Sequence, residues 1–483
     1  MAALTEDERR ELLHQLKSLS ADADSTNNIS RVFLPLPEYR RIIDDNIVLV
    51  LGERGVGKSA LFHFLQTKAR GALESPGGVL HDWIVGFSEA GIEHPSTLVL
   101  EELVKDPHVA EGAARAFWLG HFAGRLSAIV GDTVPAPKAV ERWRQNQTNP
   151  RTWIDAFFDP TDVIAWLDQV ERQFASNRVV VVTYDHLDRI GVRNREVRRR
   201  LLPPLLALWL SFSNRYRAIR AKIFLRNDLF RESVPQTSDV SKLQSRAETI
   251  RWTTSALYRL LLRHMAASGS ELRTWLERGS AGIELGNDKT LGWMPPEDFG
   301  EPDQRAFMQH IVGRAMGETT DPRAGYPHRW VPAKLADANG AIVPRSMLIL
   351  FASAADHALA MGPKAGYTRL LKPEEMKAGL RQTSARRVNE LAEEHPVVVR
   401  LKNLAQSRLP LETTRAAELL STSLDTQDDG FGTAGDRVLE ALTDLGVVAR
   451  VRSKHGKEER IDLPEIYRLE FGIQRVGQKV RTS

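Results

Sequence analysis

The sequence predicts an α/β protein in which a parallel sheet is flanked by helices and is followed by a helical lid and a small winged-helix-like module. Three observations predict this architecture. Short apolar runs are separated by helical patterns through the first half of the chain, as in parallel sheets whose strands are joined by helices. A glycine-rich segment follows the first of these runs, and the C-terminal segment reads helix, helix, hairpin.

Length and composition set the outer limits. The chain has 483 residues, which at about 150 residues per domain predicts two to four domains. It has no cysteine, which excludes disulfides, thiolate nucleophiles and Cys-ligated metals. The formal net charge of +4 is too small for a surface that binds nucleic acid throughout. The start, MAALTEDERR, lacks a secretory pattern, and the longest apolar run is shorter than the ~20 residues of a membrane span. We therefore expect a cytoplasmic protein without a membrane span.

Changes of pattern divide the chain into four segments. The capping box of Thr5 and Glu8 and the apolar stripe after it predict an N-terminal helix, which a polar linker follows. Apolar runs at 47–51, 179–183 and 222–225 predict core strands, whereas the interval from 60 to 177 reads as helical. The predicted domains are an N-terminal helix and linker (1–30), a core (31–250), a helical lid (251–400) and a winged-helix-like domain (401–483).

The glycine-rich segment reads GERGVGKS and joins an apolar run to a predicted helix. The pattern G-x-x-x-x-G-K-S is that of a P-loop. Its glycines let successive backbone N–H groups face phosphates, Lys58 reaches the β- and γ-phosphates, and the Ser59 hydroxyl serves Mg²⁺. The competing interpretation is a chance glycine-rich turn. The predicted nucleotide-binding residues are Gly52, Glu53, Arg54, Gly55, Val56, Gly57, Lys58, Ser59 and Ala60.

A site of this kind also needs a carboxylate on the magnesium side, at the end of a neighbouring strand. The run VVVVTYD supplies Asp185 there, so Ser59 and Asp185 are the predicted metal ligands, Asp185 acting directly or through water. A surface aspartate that ends a core strand is the alternative. His186 is either a base near neutral pH or a polar loop residue, and Asp188 is a second candidate base.

GERGVGKS followed by VVVVTYDHLDR resembles the P-loop ATPases of the AAA+ and STAND groups, and the D-x-L-D-R ending is similar to that of KAP-type proteins. The resemblance implies a P-loop NTPase core that binds ATP and Mg²⁺ and hydrolyses ATP. In those families a second acid commonly polarises the attacking water, whereas this chain has His186. The departure implies slow turnover. The guanine-reading [NT]-K-x-D element is absent from the sequence, which favours ATP over GTP.

Two downstream segments extend the resemblance. The segment KIFLRND resembles a sensor 1 strand, which implies that Arg226 lies beside the γ-phosphate. The segment VPRSML resembles the sensor 2 helix of origin-recognition-like AAA+ ATPases, which implies that Arg345 reaches back to phosphate from a helix that Pro344 opens. The alternatives are an exposed strand end and a surface arginine. The candidate catalytic residues are Lys58, Asp185, His186, Asp188, Arg226 and Arg345.

The C-terminal segment concentrates positive charge. Between residues 450 and 481 there are nine Lys or Arg and five Asp or Glu, 9 − 5 = +4, which equals the net charge of the whole chain. Basic residues of Arg450–Arg460 fall on a predicted hairpin and suit DNA phosphates. The helix predicted at 436–445 is acidic, which is unfavourable for a major groove. The C-terminal module is therefore expected to contact either protein or DNA, and protein is ranked first.

A further basic run, at 189–200, is interpreted as a solvated helix face, with a nucleic-acid strip or an arginine finger as alternatives.

The predicted function is an ATP-binding and ATP-hydrolysing switch that couples nucleotide state to oligomerisation or to a protein partner. The alternative is a DNA-binding ATPase that resembles initiators and uses the C-terminal wing. A small-molecule P-loop kinase ranks last, because no acceptor-substrate motif is visible. Proteins with a similar layout include initiators, signalling ATPases and antiviral defence components, and the sequence does not separate them.

Overall fold

The computed structural model describes most of the chain in two units. The described residues are 3–19, 28–74, 80–88, 94–174, 178–191, 194–233, 240–279, 283–317, 325–363, 366–422, 429–452 and 459–476. The first unit, called here the P-loop unit, is Asn27–Arg251. The second, called here the composite unit, joins Met1–Thr26 to Trp252–Ser483. The N-terminal helix therefore belongs to the same unit as the C-terminal half of the chain.

The strands and helices are numbered in chain order. The strands are β1 (Leu49–Gly52), β2 (Leu80–Phe87), β3 (Arg178–Tyr184), β4 (Ile219–Arg226), β5 (Ala247–Thr249), β6 (Gly286–Asp288), β7 (Gly292–Met294), β8 (Arg408–Leu409), β9 (Leu411–Glu412), β10 (Ala449–Arg452), β11 (Glu459–Asp462) and β12 (Gln474–Arg475). The α-helices are α1 (Glu6–Lys17), α2 (Ile29–Val32), α3 (Tyr39–Ile42), α4 (Lys58–Leu65), α5 (Thr97–Leu103), α6 (Ala110–Val130), α7 (Lys138–Gln145), α8 (Thr161–Phe174), α9 (Arg195–Arg215), α10 (Asn227–Ser233), α11 (Val240–Ser245), α12 (Thr254–Ser268), α13 (Ser270–Gly279), α14 (Glu301–Ile311), α15 (Pro327–Leu335), α16 (Pro344–Ala360), α17 (Pro373–Ala392), α18 (Thr413–Leu420), α19 (Gly435–Asp444) and α20 (Glu465–Arg468). Short 3₁₀ helices lie at Lys68–Ala72, Gly131–Thr133, Pro150–Thr152, Ile154–Phe157, Leu187–Arg189 and Pro396–Leu404.

The P-loop unit is built on a five-stranded parallel sheet. Its strand order is β2-β3-β4-β1-β5, and each neighbouring pair is parallel. The three apolar runs of the sequence form β1, β3 and β4, so the predicted parallel sheet is confirmed. The two edge strands, β2 and β5, lie where no strand was predicted. All strands of a parallel sheet end at one edge, which brings their C-terminal residues together.

Helices cover this sheet with large aromatic side chains. The helices α6 and α9 pack on each other, and the Trp118 indole nitrogen on α6 donates to the Leu201 carbonyl at 2.8 Å. Phe122 of α6 stacks edge to face on Trp209 of α9 with ring centroids 5.0 Å apart. These side chains are fully or almost fully buried. Burial of this apolar area supplies the main driving force that holds the strands in register.

The composite unit buries the N-terminal helix. Thr5 and Glu8 form the predicted capping box, and Leu12, Leu13 and Leu16 are buried where α1 packs on α16 and α13. Arg9 is 1% exposed and donates to both carboxylate oxygens of Glu375, at 2.9 and 3.0 Å. An arginine enters a core only when such a partner satisfies its donors, so this ion pair fixes α1 against α17.

The C-terminal part of the composite unit has the winged-helix order. The strand β9 leads into α18, α19 follows, and β10 and β11 form an antiparallel hairpin that β9 extends to a three-stranded sheet. The two predicted helices and the predicted hairpin are thus present. The tip of the hairpin, residues 453–458, lies outside the described residues.

Helices long and apolar enough to cross a bilayer do not occur in the part of the chain that the structure describes.

Candidate nucleotide-binding site

The glycine-rich loop connects β1 to α4 in a tight turn. Gly57 has φ +103°, a left-handed conformation that a side chain would strain. A Cβ added at Gly52 would lie 2.5 Å from the Val56 side chain. The loop therefore wraps closely on itself, and glycine is required at both ends of the wrap.

Lys58 lies at the first position of α4 and folds back over the loop. Its ammonium group donates to the carbonyl oxygens of Gly52 at 2.9 Å and Glu53 at 2.8 Å. Burial lowers the pKa of Lys58, and the nearby carboxylates of Asp185 and Asp188 oppose that shift. The structure thus gathers Lys58, Arg226 and the carboxylates of Asp185, Asp188 and Glu53 near the loop. This arrangement is suited to a polyanionic ligand that carries its own cation.

The start of α4 presents backbone donors. The first N–H groups of a helix have no carbonyl partner within it, and at this end the Leu61 N–H donates to the Gly57 carbonyl at 3.0 Å. The positive end of the helix dipole adds to them. The half-buried Ser59, at the second position, places its hydroxyl oxygen 3.4 Å from Nε2 of His186. The P-loop helix and the end of β3 therefore meet.

Asp185 follows the last residue of β3 and is 3% exposed. Its backbone N–H donates to the Phe87 carbonyl at 2.9 Å, which ties it to β2. Gln66, after α4, donates to the Thr183 hydroxyl at 3.0 Å and fixes α4 to the same strand. Oδ2 of Asp185 is buried and has no hydrogen-bond partner among the residues that the structure describes. Because a buried carboxylate oxygen without a partner is costly, this atom is suited to a cation or a bound water.

His186 adopts a left-handed backbone conformation, with φ +55°, which is uncommon for a residue other than glycine. It is 8% exposed, and its Nε2 lies 3.7 Å from Oδ2 of Asp185. The conformation turns the chain at the end of β3 into the 3₁₀ helix that carries Asp188. Nε2 of His186 therefore lies within 3.4 and 3.7 Å of Ser59 and Asp185, the two predicted metal ligands.

The C-terminal end of β4 carries three polar residues. Arg226 is paired in register with Gly52, so it ends level with the loop, and its guanidinium group binds the Asp228 carboxylate at 2.7 and 3.0 Å. Asn227 donates from its amide to Oε1 of Glu53 at 2.6 Å. Sequence reasoning did not single out Asn227. A polar residue directly after a central buried strand is the signal that could have found it.

The sheet order corrects one detail of the sequence prediction. The strand that bears Asp185 is not next to the strand that bears the P-loop, because β4 lies between β3 and β1. Tyr184 is paired with Ile223, whereas Gly52 is paired with Arg226. Asp185 therefore ends about two residues, or roughly 7 Å, short of the level of Gly52. The offset leaves room between the loop and the carboxylate.

Arg345 lies in the composite unit. Pro344 opens α16 as predicted, and Arg345 follows it, with Nη1 3.7 Å from Oε1 of Glu390. The structure thus holds Arg345 near an acid of its own unit, and its predicted reach to phosphate stays a prediction.

The basic run at the start of α9 is not a purely solvated face, so that interpretation is wrong in part. Arg198 is 13% exposed at its side chain and donates to the Asp188 carbonyl at 3.3 Å. Arg200 donates to the Val104 and Lys105 carbonyls at 2.6 and 2.9 Å. Backbone carbonyls, which sequence patterns do not reveal, draw these side chains inward. Arg198 in this way supports the turn that carries Asp188.

The site fits a nucleotide that brings its own cation. Within the described residues no group of three His, Cys, Asp or Glu side chains could hold a metal by itself. Ser59 and Asp185 supply two oxygens, and the phosphates of a nucleotide supply others. The buried Asp185 oxygen, the tight loop and Lys58 are the observations that fit Mg²⁺ and ATP.

Comparisons with known proteins give remote likenesses. No protein-family model matches the chain, and no curated protein sequence matches it. Among solved structures, the chain is similar to the Aeropyrum pernix ORC1 protein in complex with DNA, with 12% identity, a TM-score of 0.37 and coverage of 94% of this chain and 93% of the other. It is also similar to the Aeropyrum pernix ORC2 protein in ADPNP–ADP complexes, with 12% identity, a TM-score of 0.30 and coverage of 87% and 84%. Function is therefore inferred from the geometry of the site itself.

Proposed function

We propose that this chain binds ATP with Mg²⁺ in the P-loop unit and hydrolyses it slowly, as a switch. The observation that carries the proposal is the meeting of Ser59, at the start of α4, with the end of β3. There the buried Asp185 oxygen has no hydrogen-bond partner within the described part of the chain. The backbone N–H groups of the loop and of α4 would bind the phosphates, and Lys58 would exchange its two carbonyl partners for phosphate oxygens. Mg²⁺ held by Ser59 and Asp185 would neutralise charge on the β- and γ-phosphates.

Slow turnover is proposed from the residue after Asp185. A carboxylate at that position would orient an attacking water, whereas this chain has His186. Asp188 is the alternative base on the same turn, and its charge acts on Lys58. A long-lived ATP state suits a switch better than a motor.

Binding is tested by fluorescence titration with an ATP analogue, with and without Mg²⁺. Lys58→Ala and Asp185→Asn are each expected to weaken Mg²⁺-dependent binding by about a hundredfold, since each removes a charge from a partly desolvated phosphate site. Lys68→Ala and Asp162→Asn are the matched controls, because both side chains are exposed and lie outside the site. Equal affinities in all five proteins would refute the proposal.

The switch is tested by light scattering and hydrogen exchange in the ATP, ADP and nucleotide-free states. We expect ATP to change the oligomeric size or the protection of the composite unit. Lys58→Ala should show neither change. A size and an exchange pattern that are identical in all three states would leave an ATP-binding protein without a switch.

The partner is proposed to be protein, either a second copy of this chain or another chain. The described part of the C-terminal hairpin is partly neutralised, because Arg450 pairs with Glu459 at 2.9 Å, and α19 carries three acids against one arginine. DNA is the alternative partner, through Arg452, Lys454 and Lys457. Its test is salt-sensitive duplex binding that charge reversal of these three residues abolishes. Binding that charge reversal leaves unchanged would exclude the wing as the DNA contact.

A further inference from the structure

We propose that the cation site takes an imidazole nitrogen from His186 in addition to the oxygens of Ser59 and Asp185, so that it selects a transition-metal cation such as Mn²⁺ over Mg²⁺. This inference rests on the proposed function, because the cation arrives with the nucleotide. Nε2 of His186 lies 3.4 Å from the Ser59 hydroxyl oxygen and 3.7 Å from Oδ2 of Asp185. The nitrogen is thus close to both predicted oxygen ligands.

These separations suit ligands of one ion. Adjacent ligands of an octahedral ion with bonds of about 2.1 Å lie about 3.0 Å apart, and those of a tetrahedral ion lie about 3.4 Å apart. The two observed distances lie within about 0.7 Å of these edges. Both distances lie beyond the range of strong hydrogen bonds.

Two further features support a ligand at this point. Oδ2 of Asp185 is buried and accepts no hydrogen bond from any described residue, although His186 is its direct neighbour in the chain. The left-handed backbone of His186 is strained, and strain of this kind persists where the surroundings hold a residue in a required position. The His186 side chain is 10% exposed, and its Nε2 lies 3.7 Å from Oδ2 of Asp185.

The nature of the ligand decides which cation is preferred. Imidazole is a better ligand for transition metals than for Mg²⁺, which prefers oxygen and keeps its waters. A site with one nitrogen should therefore favour Mn²⁺ and Co²⁺ more strongly than an all-oxygen site does. A ligating Nε2 cannot at the same time accept a proton from water, so the proposal competes directly with a role of His186 as general base.

The first experiment compares nucleotide affinity with different cations. Binding of a non-hydrolysable ATP analogue is measured with Mg²⁺, Mn²⁺ and Co²⁺ for the unmodified protein, His186→Asn and His63→Asn. Asparagine tolerates the left-handed conformation, and His63 is the matched control because its ring centroid lies 6.5 Å from that of His186. We expect the Mn²⁺ to Mg²⁺ affinity ratio to fall by about tenfold or more in His186→Asn and to stay unchanged in His63→Asn.

The second experiment detects the nitrogen directly. Electron spin echo spectra of Mn²⁺ with the same analogue should show nitrogen modulation from a bound imidazole, and ¹⁵N labelling of histidine should alter it. His186→Asn should abolish the histidine signal, whereas His63→Asn should keep it. If His186→Asn does not fold, the spectrum of the labelled, unmodified protein still decides.

The outcomes separate the inference from the proposed function. In one outcome the nucleotide binds tightly and its binding depends on Lys58, while the Mn²⁺ to Mg²⁺ affinity ratio is the same in the unmodified protein and in His186→Asn and no histidine modulation is seen. That result overturns the imidazole ligand and leaves the ATP site intact. Absence of nucleotide binding with every cation overturns both. A signal that persists in His186→Asn but disappears in His63→Asn assigns the ligand to His63 and refutes the proposal.

Discussion

Replacing Arg9 with methionine is expected to release the N-terminal helix from the composite unit. The guanidinium group of Arg9 donates to both oxygens of Glu375 and, from Nε, to the Leu370 carbonyl at 3.1 Å. Arg9 is 1% exposed and Glu375 is 7% exposed. Methionine fills a similar length of apolar space but leaves the buried carboxylate without its cation.

The expected cost follows from what remains after the substitution. Removing one partner of a buried ion pair costs about 3–5 kcal/mol. The backbone N–H of Lys372 still donates to Glu375 at 2.8 Å, so the loss should lie near 3 kcal/mol. Arg9→Met combined with Glu375→Met removes the unpaired charge and should recover a large part of that loss.

Hydrogen exchange of the α1 amides and urea unfolding measure this effect. A loss of about 3 kcal/mol corresponds to exchange on the order of 100-fold faster in α1. Arg10→Met is the control, since Arg10 lies on the same helix and pairs with Glu6 at the surface, where such pairs contribute about 0–1 kcal/mol. Exchange that is equally fast in Arg9→Met and Arg10→Met would refute the reasoning.

Three other perturbations have expected outcomes. Burial lowers the pKa of Lys222 to about 7. Between roughly pH 7 and pH 10 the Lys222 side chain therefore binds more protons in the unfolded chain than in the folded chain. The free energy of unfolding should accordingly rise with pH over this range. Urea unfolding at pH 7.5 and 9.5 checks this, and Lys222→Met should show a smaller rise; the same rise in both proteins would contradict it. Gly57→Ala should weaken ATP-analogue binding about tenfold or more in a fluorescence titration, because alanine strains φ +103° by about 1–3 kcal/mol, and unchanged affinity would show that the loop relaxes. Asn227→Ala should speed amide exchange in the loop about fivefold, through loss of about 1 kcal/mol with Glu53, and unchanged exchange would show that the loop orders itself.

The buried strands were predictable from sequence, whereas the edge strands were not. The strands β1 and β3 are buried and read as apolar runs, and β4 carries a short apolar stretch at 223–225 between charged residues. The edge strand β2 contains His81, Asp82 and Trp83 and is largely half-buried, so it has no such signal. The strand β5 has three residues and forms only because β1 offers it a partner. Both edge strands form because they pair with a neighbouring strand of the sheet, which their local sequence does not show.

The sequence predicts the geometry of the site only where the residues involved are contiguous in one segment. The P-loop pattern specifies its own turn, since the glycines, Lys58 and the start of α4 are contiguous. The contact of Ser59 with His186 joins residues 127 positions apart and depends on the register of the sheet. The hydrogen bond of Asn227 to Glu53 has the same origin. Sequence patterns give residue types at strand ends, and the fold decides which ends meet.

The packing of α1 shows the same limit. Its capping box and apolar stripe predict a helix, and both are present. Its partner, α16, begins more than three hundred residues later, and no local pattern links the two. Arg9 in particular reads as a surface arginine in the sequence, because its partner lies 366 positions away.

The central position of β4 has a mechanical consequence. This strand is hydrogen-bonded on one edge to the strand of the P-loop and on the other to the strand of Asp185. Sliding β4 along its neighbours would break the hydrogen bonds to both strands at once. The distance between the P-loop and Asp185 is therefore held nearly constant. Ions and phosphate groups must conform to that distance, and adjustment falls to the side chains at the strand tips.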